Sequence, residues 1–475
     1  MKVPIRGPVC PLTIMIALIV CSTPLRAAEP VLTESAAVER ALRENPRLSA
    51  LGESIAAHEA ATLQAHKRPN PELSFEVEEI RFSDGPELDM VATDAGGAAL
   101  GRSTEEVDNA GFAGSEITLS VSQRIELGRK RAKRIALADS ATRVALWDYE
   151  AARADVIASS RRAFVEVLSG QERTALRGQL AAVAKAAAET VRQRVEGGKV
   201  SPLQGDRADI AYAQARIAVT AAERDLAASR ASLAFQWGMF NPDFDSVHGD
   251  LNARSTLPSV ATLEAALEQN PDIARWTAEI ARRDEAIRLE RARGIPDLTV
   301  TAGWRNTGLA DSASTSFGAG GGISGFERSS FDDERENSLV LGLSIPLPFF
   351  DRNQGRIREA EHRALQASYE RSANRNFLAE GVVRIHERLQ ALADELRVLQ
   401  EQVVPTATRT YEATKDGFEQ GKFEYLSVLD AQRTLFEVRN QHLEALSAYR
   451  LGVVELERLL GAGLDAFPGS PITEE

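Results

Sequence analysis

Residues 71–80 read PELSFEVEEI, and the middle of that stretch alternates: Leu73, Phe75 and Val77 fall on one side, Ser74, Glu76 and Glu78 on the other. A two-residue period is that of a β-strand with one apolar face. The sequence around it is mostly Ala-, Arg-, Glu- and Leu-rich and helical in character. A strand cannot satisfy its backbone hydrogen bonds alone. Its partners, and the medium against its apolar side, therefore decide the architecture.

The partners are written into a duplication. ALRENPRL at 41–48 is answered by ALEQNPDI at 266–273, PELSFEVE at 71–78 by PDLTVTAGW at 296–304, and GGKVSPL at 197–203 by QGKFEYL at 420–426. The first two pairs are 225 positions apart and the glycines of the third 223, so three echoes in the same order mark one repeated unit. The division expected is 29–245 for the first repeat and 246–465 for the second, with a tail at 466–475. In each unit a short helix ends at Asn-Pro, where Asn can cap and Pro can open the next helix. A strand then starts at Pro71 or Pro296. A Gly-, Ser- and Asp-rich stretch, roughly 83–114 and 306–337, reads as a flexible exposed loop. A second strand returns as ITLSVSQRI at 117–125 and LVLGLSIPL at 339–347. The strands are expected at about 71–81, 115–125, 296–305 and 338–348.

After each hairpin the pattern turns helical for a long way. No proline interrupts 128–196; at about 1.5 Å per residue that is a rod of about 100 Å. A turn at 197–203 reverses the chain into a helix reaching about Trp237, and the second unit repeats this from about Gln354 to Gln420, with Pro405 marking a junction between two helices and a tip at 420–427. The helices read as antiparallel, coiled-coil-like hairpins. The fold class is mainly α with a β-barrel part.

Lys2 and Arg6 precede an apolar run from Leu12 to Val20 and small residues through Ala28, the pattern of a secretory signal peptide at 1–28. Both cysteines, Cys10 and Cys21, lie in or beside it. Val20 stands where a lipoprotein signal needs a small residue, so cleavage after Ala27 or Ala28 without lipid on Cys21 is expected. The mature chain then has no disulfide and no thiolate metal ligand. No later apolar run is long enough for a membrane helix.

Strands of about ten residues with one apolar face suit a tilted membrane-spanning strand. Only closed barrels let strands cross a bilayer, and four strands are too few to close one. Two copies would give eight strands and three would give twelve. The expected lipid-facing residues are Leu73, Phe75, Val77, Leu119, Val121, Val300, Leu341 and Leu343. The other reading is a soluble periplasmic coiled-coil scaffold decorated with short sheets. A net charge of −13 and 6% aromatics disfavour a nucleic-acid partner. No phosphate-cradling glycine loop, nucleophile elbow or zinc-protease motif occurs, so no enzyme and no cofactor is expected. The six histidines are scattered; His58 and His66, eight apart, lack an acidic or thiol partner and read as solvated surface residues, with no metal site.

This duplicated strand-and-long-helix plan resembles the TolC-like outer membrane efflux proteins over nearly all of the mature chain. The tip GKFEYLSVLDAQRTLFEVRNQHLEALSAYRLGVVELERLLG at 421–461 carries the resemblance most specifically. RPNPEL at 68–73, QRIELGRKRAKR at 123–134 and GKVSPL at 198–203 resemble the cobalt–zinc–cadmium resistance branch, the CzcC type. The resemblance implies a homotrimer with a twelve-stranded barrel in outer membrane lipid and a helical periplasmic tunnel. It also implies a periplasmic adaptor and an inner-membrane RND-type pump as partners, and divalent heavy-metal cations as cargo. Drug or solvent efflux and type I protein secretion remain alternative cargoes. It implies that the tips, Gly198, Val200, Ser201, Pro202 and Leu203 with Gly421, Phe423, Tyr425 and Leu426, meet the adaptor, and apolar residues exposed at a turn agree. Just beyond the second tip, relatives of this kind can carry two acidic residues at the narrow periplasmic entrance. Here Asp430 keeps the acid and Ser427 stands at the other position. Arg207 aligns with Asp430 across the repeat, so an Arg–Asp pair closing the entrance is a candidate gate.

Overall fold

A computed structural model of the chain describes residues 31–80, 88–93, 99–105, 115–253, 256–308, 312–317, 323–329 and 335–467. The signal-peptide expectation, and the tail beyond 467, lie outside the described residues.

The chain opens with β1 (Val31–Thr33) and α1 (Glu34–Glu44). Asn45 then caps α2 (Pro46–Ala65): its side-chain oxygen accepts from the Arg47 N–H at 2.9 Å, and Pro46 takes the first helical position, where its missing N–H costs nothing. The strands β2 (Glu72–Glu78), β3 (Leu88–Thr93), β4 (Ala99–Glu105) and β5 (Glu116–Ile125) precede the 67-residue α3 (Lys130–Glu196), then α4 (Pro202–Phe235) and β6 (Ser246–His248). The plan repeats with α5 (Val260–Ala266), a cap at Asn270, α6 (Pro271–Arg293), β7 (Leu298–Gly308), β8 (Ser312–Phe317), β9 (Ile323–Ser329), β10 (Arg335–Ser344) and α7 (Gln354–Val398). A π-helical turn, Leu399–Val403, leads into α8 (Val404–Glu419), and α9 (Tyr425–Leu460) follows. Pro405 sits in the first turn of α8; the wider turn before it accommodates the ring and the lost hydrogen bond.

Two expectations need correction. The stretches at 83–114 and 306–337 hold β-structure: β3 pairs with β4, β8 pairs with β9, and β7 and β10 extend into the second stretch. Their Gly, Ser and Asp content reads as loop, yet runs of six or seven residues suffice for a hairpin strand. The last strand stops at Ser344 and not at 348, because Pro346 and Pro348 have no N–H to give a ladder. The short parallel pair β1–β6 was not legible at all; it joins residues about 215 positions apart.

The two expected hairpins merge into one antiparallel sheet of order β10-β7-β5-β2. Leu73 faces Val121, Val121 faces Ala302 and Ala302 faces Leu341; the next row is Phe75, Leu119, Trp304 and Leu339. At the seam between hairpins, a Cβ on Gly303 would lie 2.7 Å from the Ser120 Cβ and 2.8 Å from the Leu119 carbonyl oxygen. Glycine is what lets β5 and β7 approach there.

The chain packs as two compact units, and each sequence repeat contributes to both. One comprises residues up to 41, 160–252 and 402–447. Its core includes Phe164, Val165, Leu233, Trp237 and Phe244. In it the Gln171 amide holds β6 from both sides, donating to the Val247 carbonyl at 3.0 Å and accepting its N–H at 2.8 Å. The other comprises 42–159, 253–401 and the chain from 448, and contains the four-stranded sheet. Leu263, Leu267, Ile273, Leu389, Leu396 and Leu456 are fully buried in it. Arg458 there donates to Asp155 at 2.6 Å and to Asp272 at 2.9 Å, so one guanidinium ties three chain segments.

Candidate functional site

The two helical tips are built alike. Gly198 follows α3 at φ +69° and Gly421 follows α8 at φ +76°. In the first, the Gly198 N–H donates to the Val195 carbonyl at 2.9 Å and the Lys199 N–H to the Arg194 carbonyl at 2.8 Å. In the second, Gly421 donates to Phe418 at 2.9 Å and Lys422 to Gly417 at 2.7 Å. Both are the paired 5→2 and 6→1 bonds of a Schellman stop, which needs a left-handed residue and so selects glycine. The chain restarts differently at each tip. Ser201 caps α4 by accepting the Leu203 N–H, with Pro202 at the first helical position, whereas Glu424 occupies the matching place before α9.

Leu203, Phe423 and Leu426 are 57%, 51% and 54% exposed, so three apolar side chains stand in solvent at the turns. Gly198, Ser201, Pro202 and Gly421 are exposed with them. Tyr425 departs from expectation: it is buried, packed with Phe418, Val191, Ala208 and Val428, and Val200 leans on the same cluster. Tyr425, Val428 and Leu429 lie on one helical face, and the ring has more apolar area to remove from water than any neighbour there. Burial pushes the Tyr425 hydroxyl pKa upward. Phe423, though half exposed, rests on Gly417; a Cβ at 417 would lie 2.2 Å from its ring.

Sequence reasoning missed Arg194. Its Nη2 donates to the Phe418 carbonyl at 3.2 Å and, less closely, to that of Glu419, and its guanidinium lies 4.0 Å over the Phe418 ring. A cation on the last carbonyls of α8 complements the helix end. No signal pointed to it, since the repeat matches Arg194 with Gly417 and the contact has no counterpart.

Ser427 and Asp430 are exposed and line one open groove of about 660 Å³ with Phe423, Gln402 and Thr406. Arg207 is exposed on α4, and no ion pair joins it to Asp430 within the chain. Among the described residues no group of three or more His, Cys, Asp or Glu side chains could hold a metal ion, and no helix is long and apolar enough to cross a membrane.

The sheet has two unlike faces. Leu73, Phe75, Val77, Leu119, Val121, Val300, Leu341 and Leu343 all fall on one of them by register. Leu73, Phe75, Leu341 and Leu343 are 70%, 67%, 73% and 76% exposed, so the described residues leave this part of the face uncovered. The other face carries Ser74, Glu76, Thr118, Ser120, Thr301 and Ser338, with Arg305 on Glu116 at 2.7 Å. Neither β2 nor β10 has a second partner strand within the described residues.

Comparison with known proteins adds four findings. The family model described as outer membrane efflux protein matches residues 37–239 and 262–462, one match per repeat. The cobalt-zinc-cadmium resistance protein CzcC of Cupriavidus metallidurans is 32% identical over 438 residues, 92% of either chain. The nickel-cobalt-cadmium resistance protein NccC of Alcaligenes xylosoxydans xylosoxydans is 24% identical over 289 residues, 59% of this chain and 56% of that one. The crystal structure of CusC superimposes with a TM-score of 0.67 at 16% identity, covering 90% of this chain and 92% of that one, which is a likeness of fold.

Proposed function

The chain belongs to the outer membrane efflux protein family, and on that premise we propose that three copies form one passive duct through the outer membrane that exports divalent heavy-metal cations. It is an outer membrane efflux channel of the TolC type, a family of channels and not of enzymes.

The observation that carries the trimer reading is the open sheet with its exposed apolar face. In water that face would be costly, at about 25 cal/mol for each Å² of apolar surface; in hydrocarbon it is favourable. Free edges at β2 and β10 would leave backbone groups unpaired in lipid. The four strands alternate in direction, so β10 of one copy runs antiparallel to β2 of the next. Four strands from each of three copies make a twelve-stranded closed barrel, polar inside and apolar outside.

The exposed Leu203, Phe423 and Leu426 support the tips as the docking surface of a periplasmic adaptor, which would couple the duct to an inner-membrane pump supplying the energy. Three copies of Asp430 would ring the periplasmic entrance and favour cations, with Ser427 beside them. Since Arg207 and Asp430 do not pair within a chain, an Arg207–Asp430 latch would have to form between copies. The names of CzcC and NccC support metal cargo.

Two experiments test the reading. Outer membranes should release the protein only with detergent, as heat-resistant trimers; recovery as a soluble periplasmic protein would refute it. Deleting the gene should lower tolerance to Zn²⁺, Co²⁺ or Cd²⁺ and leave tolerance to drugs and solvents unchanged; the reverse pattern would transfer the cargo to that class.

A further inference from the structure

A cleft of about 650 Å³ opens at the foot of the sheet between α2, α3 and α6. Its floor is apolar, with Ala65 and Leu289 buried beside Leu137, and its rim is almost wholly cationic. The charges come from every segment that enters or leaves the strands there: Lys67 and Arg68 ahead of β2, Arg124 near the end of β5, Arg134 on α3, and Arg282, Arg283 and Arg293 on α6.

The ion pairs among the described residues do not neutralise this set. Arg134 is matched by Glu126 at 2.5 Å, and Arg293 by Glu290 at 2.5 Å. Arg282 and Arg283 share a single carboxylate, the buried Glu279, at 2.6 and 2.7 Å. Lys67, Arg68 and Arg124 have exposed side chains and no acidic partner among the described residues. A protein whose net charge is −13 thus concentrates several uncompensated cations around one concavity. Like charges held this close repel, and an anion between them would relieve the repulsion. Guanidiniums present fixed forks of N–H donors that match tetrahedral oxyanions. Arg282 and Arg283 are also held in place by Glu279, which lowers the entropy lost on binding.

We propose that this cleft binds a phosphate-class oxyanion, donated to by Lys67, Arg68, Arg124 and the Arg282–Arg283 pair. The assignment does not depend on the cargo of the channel. The oxyanion has two sources: free phosphate in solution, or the headgroup of an anionic phospholipid whose chain would lie on the apolar floor.

The test uses the purified full-length protein in low-salt, phosphate-free detergent buffer. The variant is Lys67→Gln/Arg68→Gln/Arg124→Gln; these side chains make no ion pair among the described residues, so thermal unfolding should be unchanged. Its charge-matched control is Arg388→Gln/Lys415→Gln/Arg433→Gln, three exposed cations that do not line the cleft. Inorganic phosphate is titrated by calorimetry, and retention of phosphatidylglycerol is read by native mass spectrometry. The wild type and control should bind one or both ligands at least tenfold more tightly than the cleft variant, with affinity falling as chloride rises. Binding of inorganic phosphate assigns the free anion; retention of phosphatidylglycerol without phosphate binding assigns the headgroup. Equal binding by wild type and cleft variant overturns the site. So does loss of the heat-resistant trimer in the cleft variant with ligand binding unchanged, which would mean that these cations pair with a neighbouring copy.

Discussion

Leu341→Arg separates a sheet that meets lipid from one that meets water. The residue is 73% exposed on its own chain, so truncating or replacing it loses little packing within the protomer. β10 has ten residues; at about 3.3 Å per residue and a tilt near 40° it crosses about 25 Å of bilayer. Leu341 lies three residues from the Ser344 end, at about 8 Å depth by the same geometry, towards but short of the midplane. Arginine on the lipid face at that depth costs about 2–3 kcal/mol per copy, and so about 6–9 kcal/mol for a trimer. The matched control is the next residue. Gly342 lies at nearly the same depth on the opposite, polar face, and a Cβ there meets only the Thr301 Cβ at an ordinary 3.5 Å. Gly342→Arg should therefore assemble close to normally, while Leu341→Arg should lose most heat-resistant trimer in detergent extracts of outer membranes. If the apolar face met water, Leu341→Arg would be an exposed surface change within about 0.5 kcal/mol of neutral. Equal trimer yields from the two variants would refute the lipid assignment.

Four further outcomes are expected. Gly421→Ala puts a Cβ at φ +76° with open space around it, so it should cost about 1 kcal/mol through the backbone alone; Gly417→Ala must displace the Phe423 ring, and should weaken adaptor binding more than Gly421→Ala in pull-down titrations. Asp430→Ala should lower cation preference and raise single-channel conductance in planar bilayers, and Arg207→Ala should raise conductance if copies are latched; unchanged currents in both would leave these residues as surface charge. Burial pushes the Glu279 carboxyl up, but Arg282 and Arg283 outweigh it and hold it below the ordinary value of 4.5. Its stabilisation is then present at neutral pH and lost as pH falls below that value, so Glu279→Gln should cost about 1–3 kcal/mol at pH 7, with the gap to wild type closing in acid in denaturant titrations. Intact mass of the exported protein should show loss of residues 1–27 or 1–28 and no acyl group; a lipid on Cys21 would overturn that reading.

Local pattern sufficed wherever the determinant is local. The Asn-Pro caps, the glycines at 198 and 421, the uninterrupted helix after Lys130 and the alternation in 71–78 each follow from a residue and its near neighbours, and the structure places them as the sequence reads. The duplication was legible for the same reason, since it needs only self-comparison. What the pattern could not decide was which strand lies beside which, and where a side chain goes when two faces compete for it. That Trp304 of one hairpin stands beside Leu119 of the other, with Gly303 making room, depends on a contact across about 185 residues. Tyr425 reads as an exposed tip aromatic beside Phe423 and Leu426, yet it turns inward because Phe418, Val191 and Ala208, from other segments, form the pocket that receives it. Arg194 on the carbonyls of α8 and the unmatched cations around the cleft under the sheet are likewise products of packing. Burial and electrostatic compensation are properties of a neighbourhood, and a neighbourhood assembled from distant segments exists only once the chain has folded.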